Sequence, residues 1–209
     1  TISFSPSFGY QLCLKRLRPD VASTFDLGAW RVAGVGAETI QSAALAEFAE
    51  VLEPTGFKPS AFTACYGMAE ASLAVSFAPL HQGITVNRVD PAVLSERGIA
   101  LALNGRDPGS EGEMWNTRPF VICGVPLPGI QVEIRDEQGR VLPDRHAGVI
   151  FLRGANIMSG YFDNPEKTLE VLSSDGWFDT QDIGYLAEGR VVIIGRKKDV
   201  IIINGRKIW

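Results

Sequence analysis

Phe8, Leu12, Cys13 and Leu17 recur at near-helical spacing after Pro6-Ser7. That spacing predicts a first helix with those residues on its apolar face, ended by Pro19. Trp30 to Val35 reads as a buried strand. Gly36-Ala37-Glu38-Thr39 then turns into a second helix whose inner face is Ile40, Ala44, Phe48, Val51 and Leu52, closed by Pro54 and Gly56. Ala61 to Cys65 is another short apolar strand, followed by Tyr66-Gly67 and an Ala-rich segment from Met68 to Phe77. Strands alternating with helices at this spacing predict an α/β layer with parallel strands.

The pattern changes near residue 79. From Pro79 to Pro119 the chain is rich in Gly, Pro and Asn, with a short strand at Ile84 to Val89 and a short helix at Ala92 to Arg97. Beyond it the chain is mostly β. Gln131 to Arg135 alternates, Glu137 to Arg140 is a turn, and Val149 to Leu152, Val191 to Ile194 and Val200 to Ile203 are buried runs. Asn164-Pro165-Glu166-Lys167 starts a short helix with Pro at its first position. The expected division is an α/β portion over 1–118, with an insertion around 79–118, a β-rich subdomain over 119–195, and a connector over 196–209. Neither end reads as a natural terminus, so the chain is expected to be an internal piece of a longer protein.

Composition narrows the function. With 45% apolar and 21% charged residues the chain can build an ordinary globular core, and a net charge of −4 leaves no basic footprint for nucleic acid. The cationic cluster Arg196-Lys197-Lys198 with Arg206-Lys207 is small and interrupted by Asp199. No run reaches the ~18 apolar residues of a membrane span. Cys13, Cys65 and Cys123 are widely spaced and odd in number, which predicts buried, reduced thiols in a cytoplasmic protein. His81 and His146 have no Cys or His at ligand spacing, against a zinc site.

The common phosphate-loop, dinucleotide, nucleophile-elbow and zinc-protease motifs are absent. Four short constellations remain, each with a plainer alternative. In Cys65-Tyr66-Gly67-Met68-Ala69-Glu70, at a strand end, Tyr66 could stack on a planar base and Glu70 could hold a divalent cation against phosphate; alternatively Tyr66 is core and Glu70 is solvated. Gly34-Val35-Gly36-Ala37-Glu38 lets backbone approach a ligand, or simply makes a turn. In Gly176 to Gly184, Asp182 lies beside apolar residues and needs partners, which vicinal ribose hydroxyls would supply; a cap or turn role is the alternative. In Gly195-Arg196-Lys197-Lys198-Asp199, Arg196 offers a donor fork and Asp199 a polar joint, or the segment is a charged hairpin.

Taken together and in order, these motifs resemble the adenylate-forming superfamily of acyl-CoA synthetases, firefly luciferase and nonribosomal adenylation domains. Val125-Pro126-Leu127-Pro128-Gly129 and the run from Ser159 to Glu166 fit the same pattern. The chain is most similar to the fatty acyl-AMP ligases. The carriers are Thr1 to Cys13, Trp30-Arg31-Val32-Ala33 leading to Gly36-Ala37-Glu38, Ala69 in place of a usual Thr, and the ending Asn204 to Trp209. The 53 residues between Glu70 and Gly124 match the insertion of that branch. Gln181 departs from the pattern, standing where the family has Gly, and Lys207 stands where Asn is expected.

The resemblance implies the C-terminal part of a large AMP-binding domain, an α/β layer plus a distorted β-barrel subdomain, with the small lid domain missing. The phosphate loop would lie upstream and the catalytic lysine of the lid downstream. ATP and Mg²⁺ are implied, with a fatty acid as substrate and an acyl carrier protein as acceptor; CoA is the alternative acceptor, and a partial nucleotide- or acyl-binding module the alternative for this chain. Glu70 would hold Mg²⁺ and serve catalysis. Gly36, Ala37, Glu38, Tyr66, Gly67 and Met68 would line the adenine, and Asp182 and Arg196 would hold the ribose. Phe8 and Gly67 would border the acyl pocket, and Asp199 would be the hinge.

Overall fold

A computed structural model describes residues 1–103, 117–203 and 206–208. Strand β1 (Ile2–Ser5) leads into helix α1 (Ser7–Arg16) and the single turn α2 (Pro19–Ala22). Strand β2 (Val32–Val35), helix α3 (Ser42–Leu52), strand β3 (Phe62–Tyr66) and the short β4 (Ser76–Phe77) follow. β1, β2 and β3 run parallel, as the alternation predicts, while β4 returns antiparallel to β3. Helices α1 and α3 bury one face of this sheet. Tyr10, Leu45, Phe48, Leu52, Phe57 and Phe62 form the core there, with Tyr10, Phe48, Phe57 and Phe62 meeting edge to face.

Of the apolar face expected for the first helix, only Leu17 packs on the core. Tyr10 and Ser7 are buried, Leu14 and Leu17 pack against the core, and Phe8, Leu12 and Cys13 are exposed. Tyr10 wins because it satisfies both requirements of the site. Its ring fills the aromatic core and its hydroxyl donates to the Gly34 carbonyl oxygen at 3.1 Å. Val51, expected on the inner face of α3, is also exposed, and Ala49 takes its place inside.

The segment after β4 carries strand β5 (Val86–Val89) and helix α4 (Pro91–Arg97), capped by Asp90 through the amides of Ala92 and Val93. β5 pairs antiparallel with β6 (Arg118–Val121), a strand that Pro119 conceals in the sequence. Part of the expected insertion, 104–116, lies outside the described residues, as do Asn204, Gly205 and Trp209 of the terminal motif. After β7 (Val125–Pro126), which adds to the first sheet beside β4, come β8 (Gln131–Arg135), β9 (Gly148–Arg153), helix α5 (Pro165–Val171), β10 (Phe178–Ala187) and β11 (Arg190–Arg196). These last four strands form an antiparallel sheet in the order β11-β10-β9-β8. β12 (Ile201–Ile203) and β13 (Arg206–Ile208) pair antiparallel.

Val89, Leu94, Ala100, Phe120 and Ile122 share one core with Val149, Tyr185 and Val192, so β5, α4 and β6 are packed on the second sheet. A buried bond from the Tyr185 hydroxyl to Asn87 Oδ1 (3.2 Å) fixes that contact. Among the described residues no helix is long and apolar enough to cross a membrane, and no group of three His, Cys, Asp or Glu side chains is placed to hold a metal ion. The three cysteines are free. Cys123 is buried, Cys65 half-buried and Cys13 exposed, the last against expectation because α1 turns its Tyr10 face inward.

Candidate functional site

The C-terminal end of β3 opens into a cleft of about 440 Å³. Its walls are the β2–α3 loop (Ala37 to Ile40), the end of β3 (Cys65 to Met68), β6, and the facing strands β10 and β11. A crevice beyond the carboxyl ends of parallel strands is where α/β sheets bind ligands. The structure brings Ala37, Glu38, Tyr66, Gly67, Met68, Asp182, Arg196 and Asp199 together along this one cleft, although they span most of the chain.

Register explains the pairing at its floor. Asp182 stands opposite Arg196 across β10 and β11, and β10 slips register against β9 between Asp179 and Ile183. Gln181 takes a left-handed backbone there (φ 59°), a conformation that suits glycine better. This bulge turns Asp182 toward β3. The Tyr66 hydroxyl donates to Asp182 Oδ2 at 2.8 Å, Arg196 Nε lies 3.4 Å from Oδ1, and the Asp182 amide donates to Thr180 Oγ1 at 3.0 Å.

Asp182 is only 7% exposed, and burial pushes its carboxyl above the ordinary range. The Tyr66 bond and the Arg196 charge pull it back, and the nearby Glu70 charge adds to the rise. Burial and the Asp182 charge raise the Tyr66 phenol well above its usual value, so Tyr66 stays a neutral donor. The result is a held, water-poor carboxylate with an exposed guanidinium beside it, able to accept from paired hydroxyls.

The two glycine motifs do different things. A side chain at Gly67 would overlap the Leu73 carbonyl oxygen and lie 2.9 Å from Ala74 Cα, so only glycine lets this loop close. Gly36 lies outside the cleft lining. A Cβ there would sit 2.7 Å from the Cys65 carbonyl oxygen and Sγ, making it a packing glycine behind the wall. Ala37 takes the left-handed conformation of the turn (φ 65°). Glu38 lines the cleft, yet its Oε1 accepts from the Phe8 amide at 3.0 Å. That ties the loop to the start of α1, reinforced by Gln11 Nε2 donating to Gln41 Oε1 and the Gln41 amide donating to Ser7 Oγ. Phe8 itself is exposed on α1 and does not line the cleft.

Glu70 also lies outside the cleft lining, on the one-turn 3₁₀ segment Ala69–Ala71. Its Oε1 accepts from the Tyr161 hydroxyl at 2.9 Å. Asp199 ends a second 3₁₀ turn, Lys197–Asp199, at the cleft mouth. Tyr161, Thr180, Phe120 and Cys123 contribute to or support the site without having been singled out in the sequence. Tyr161 and Thr180 carried a signal, the first within the Ser159 to Glu166 run and the second within the Gly176 to Gly184 constellation.

The family model for AMP-binding enzymes matches residues 1–162. A Caulobacter vibrioides protein bearing the provisional name acyl-CoA synthetase is 47% identical over the whole chain, which covers 35% of that protein. A medium-chain-fatty-acid–[acyl-carrier-protein] ligase of Teredinibacter turnerae is 32% identical over 98% of the chain and 33% of its own length. A solved structure from work on fatty acyl-adenylate ligases of E. coli and L. pneumophila superimposes with a TM-score of 0.90 at 42% identity, covering all of this chain and 36% of that one. The chain thus spans about a third of the length of the relatives it matches. Family match, fold and the order of the cleft motifs agree, and this chain belongs to the AMP-binding enzymes of the adenylate-forming superfamily.

Proposed function

We propose that the full-length protein carrying this chain activates a fatty acid with ATP, releasing pyrophosphate, and passes the acyl group to an acyl carrier protein. The observation that carries this reading is the buried Tyr66–Asp182 pair beside Arg196 in a cleft at the end of parallel strands. The name of the Teredinibacter relative supports the acceptor.

In this reading the fatty carboxylate attacks the α-phosphorus of ATP and the bond to pyrophosphate breaks, so no protein nucleophile is needed. The protein aligns two anions and excludes water. The Tyr66 ring, held by its hydroxyl on Asp182, offers a face to adenine. Ala37, Glu38, Gly67 and Met68 line its edges, with Gly36 behind them. Asp182 accepts from the ribose hydroxyls and Arg196 donates beside them. Gly67 and Phe8 border the acyl chain. Asp199 is the joint about which residues 196–209 lead into a lid, with 1–118 and 119–195 as the two parts of the AMP-binding domain. Among the described residues the only cation ligand in this reading is Glu70, with one oxygen bound to Tyr161. A lone carboxylate fits Mg²⁺ that already rides on phosphate oxygens, not a protein-made cage. Such an ion would neutralise the charge that gathers on the phosphates. The protein works in the cytoplasm, where ATP is supplied and its free cysteines stay reduced.

Purified full-length protein is given ATP, Mg²⁺ and fatty acids of graded length, and pyrophosphate is measured, followed by transfer to holo acyl carrier protein or to CoA. Fatty-acid-dependent pyrophosphate release with thioester on the carrier protein is expected. No release with any fatty acid overturns the proposal. Thioester on CoA alone selects the acyl-CoA synthetase alternative, which the name of the Caulobacter relative favours. The 209 residues by themselves, without a phosphate loop or lid lysine, are expected to be inactive in the same assay.

A further inference from the structure

We propose that Tyr161 is a positioning residue that sets the direction of the Glu70 carboxylate toward the cation carried by ATP. This rests on the reading of Glu70 as the cation ligand.

Residues 156–161, between β9 and α5, lie as a strap over the loop that holds Glu70. Asn156 Nδ2 donates to the Ala71 carbonyl oxygen at 3.0 Å, and Ser72 Oγ donates to the Asn156 carbonyl oxygen at 3.0 Å. The Met158 amide donates to the Glu70 carbonyl oxygen at 2.8 Å. Backbone and side chain of Glu70 are therefore gripped by the same strap, the latter by the Tyr161 hydroxyl at 2.9 Å. A charge-assisted bond of this kind is short and directional. It occupies one carboxylate oxygen and leaves the other to point in a single direction, where a free glutamate would sample many rotamers.

Tyr161 is itself held. Its amide donates to Thr168 Oγ1 at 2.9 Å, and that hydroxyl donates to the Asn164 carbonyl oxygen at the start of α5. Gly160 adopts φ 151°, and a Cβ there would lie 2.9 Å from the Thr168 methyl carbon. Glycine is what lets the chain pass this close to α5 and deliver the ring to Glu70. The chain of contacts runs from α5 through Thr168 and Tyr161 to one oxygen of Glu70, and in this reading the other takes the ligand. It has the form of the outer-shell partner that orients a metal-bound carboxylate.

The test uses full-length Tyr161→Phe, Glu70→Gln and the double variant, with folding checked by circular dichroism. Mn²⁺ affinity in the presence of ATP is read from the EPR signal of free Mn²⁺, and the Mg²⁺ dependence of pyrophosphate release is measured alongside. Tyr161→Phe is expected to weaken Mn²⁺ binding roughly 10-fold and to raise the Mg²⁺ requirement, with kcat at saturating Mg²⁺ largely kept. In the Glu70→Gln background it should add nothing. Weakened binding in Glu70→Gln with unchanged binding in Tyr161→Phe overturns the positioning role. Unchanged binding in Glu70→Gln overturns the assignment of the cation to Glu70 itself.

Discussion

Replacing Asp182 by alanine removes the carboxylate that the fold brings closest to both Tyr66 and Arg196. Two effects follow, and they are separable. For function, a charge-assisted hydrogen bond to a ligand hydroxyl is worth about 2–3 kcal/mol, which predicts a fall of about 30–150-fold in kcat/KM for ATP. The Arg196 pair adds little, because the guanidinium is 62% exposed at 3.4 Å and solvent screens it. For stability, alanine strips the Tyr66 hydroxyl, buried at 2.8 Å from Oδ2, of its acceptor, at a cost of about 1–3 kcal/mol. The assay is ATP–pyrophosphate exchange in the full-length protein, run well below its melting temperature with folding checked spectroscopically. Asp182→Asn is the control. It keeps an acceptor for Tyr66 but not the charge, so it should recover stability and stay slow. A change under threefold in kcat/KM for Asp182→Ala refutes the ribose-binding role. Recovery of activity in the asparagine variant refutes the part assigned to charge.

Three further outcomes follow from the same structure. The folded-state pKa of Asp182 is raised, by burial and the Glu70 charge against the opposing Tyr66 bond and Arg196 charge. Its contribution is therefore most favourable below the unfolded carboxylate value of ~3.9 and is lost as pH rises through the folded value. Urea midpoints of wild type and Asp182→Asn should diverge, with the variant gaining, as pH rises from about 3.9 through the folded value; parallel curves over the acidic range count against it. Gln181→Gly relieves the left-handed strain at φ 59° and should raise stability by up to ~1 kcal/mol, measured by chemical unfolding; a clear loss would show that the glutamine side chain holds the bulge. Burial pushes the Cys65 thiol to about 11 and the Cys123 thiol to about 12. Burial keeps the Cys123 thiol protonated and out of reach at pH 8, so iodoacetamide followed by mass mapping should label exposed Cys13 first. Cys123 labelling at a comparable rate would contradict its burial.

Sequence periodicity alone located α3, β3, β8 and β9 and the parallel start of the first sheet, because these elements bury one face and repeat with it. The resemblance to the adenylate-forming superfamily marked Tyr66, Asp182 and Arg196 as a set through motif order. What both left open was settled by partners distant in the chain. The inner face of α1 depends on Tyr10 reaching a carbonyl on β2, which apolar spacing does not register. β6 is hidden by Pro119 and exists because β5 pairs with it. Glu38 was legible as a loop carboxylate, but its bond to the Phe8 amide comes from packing of the β2–α3 loop against α1. The Tyr161–Glu70 bond joins residues 91 positions apart. Residue types and local periods are properties of short stretches, so the sequence by itself determined the elements and the chemical groups at their ends. Which group faces which depends on sheet register, on one bulge beside Asp182 and on one strap over Glu70, and only the tertiary structure decided those.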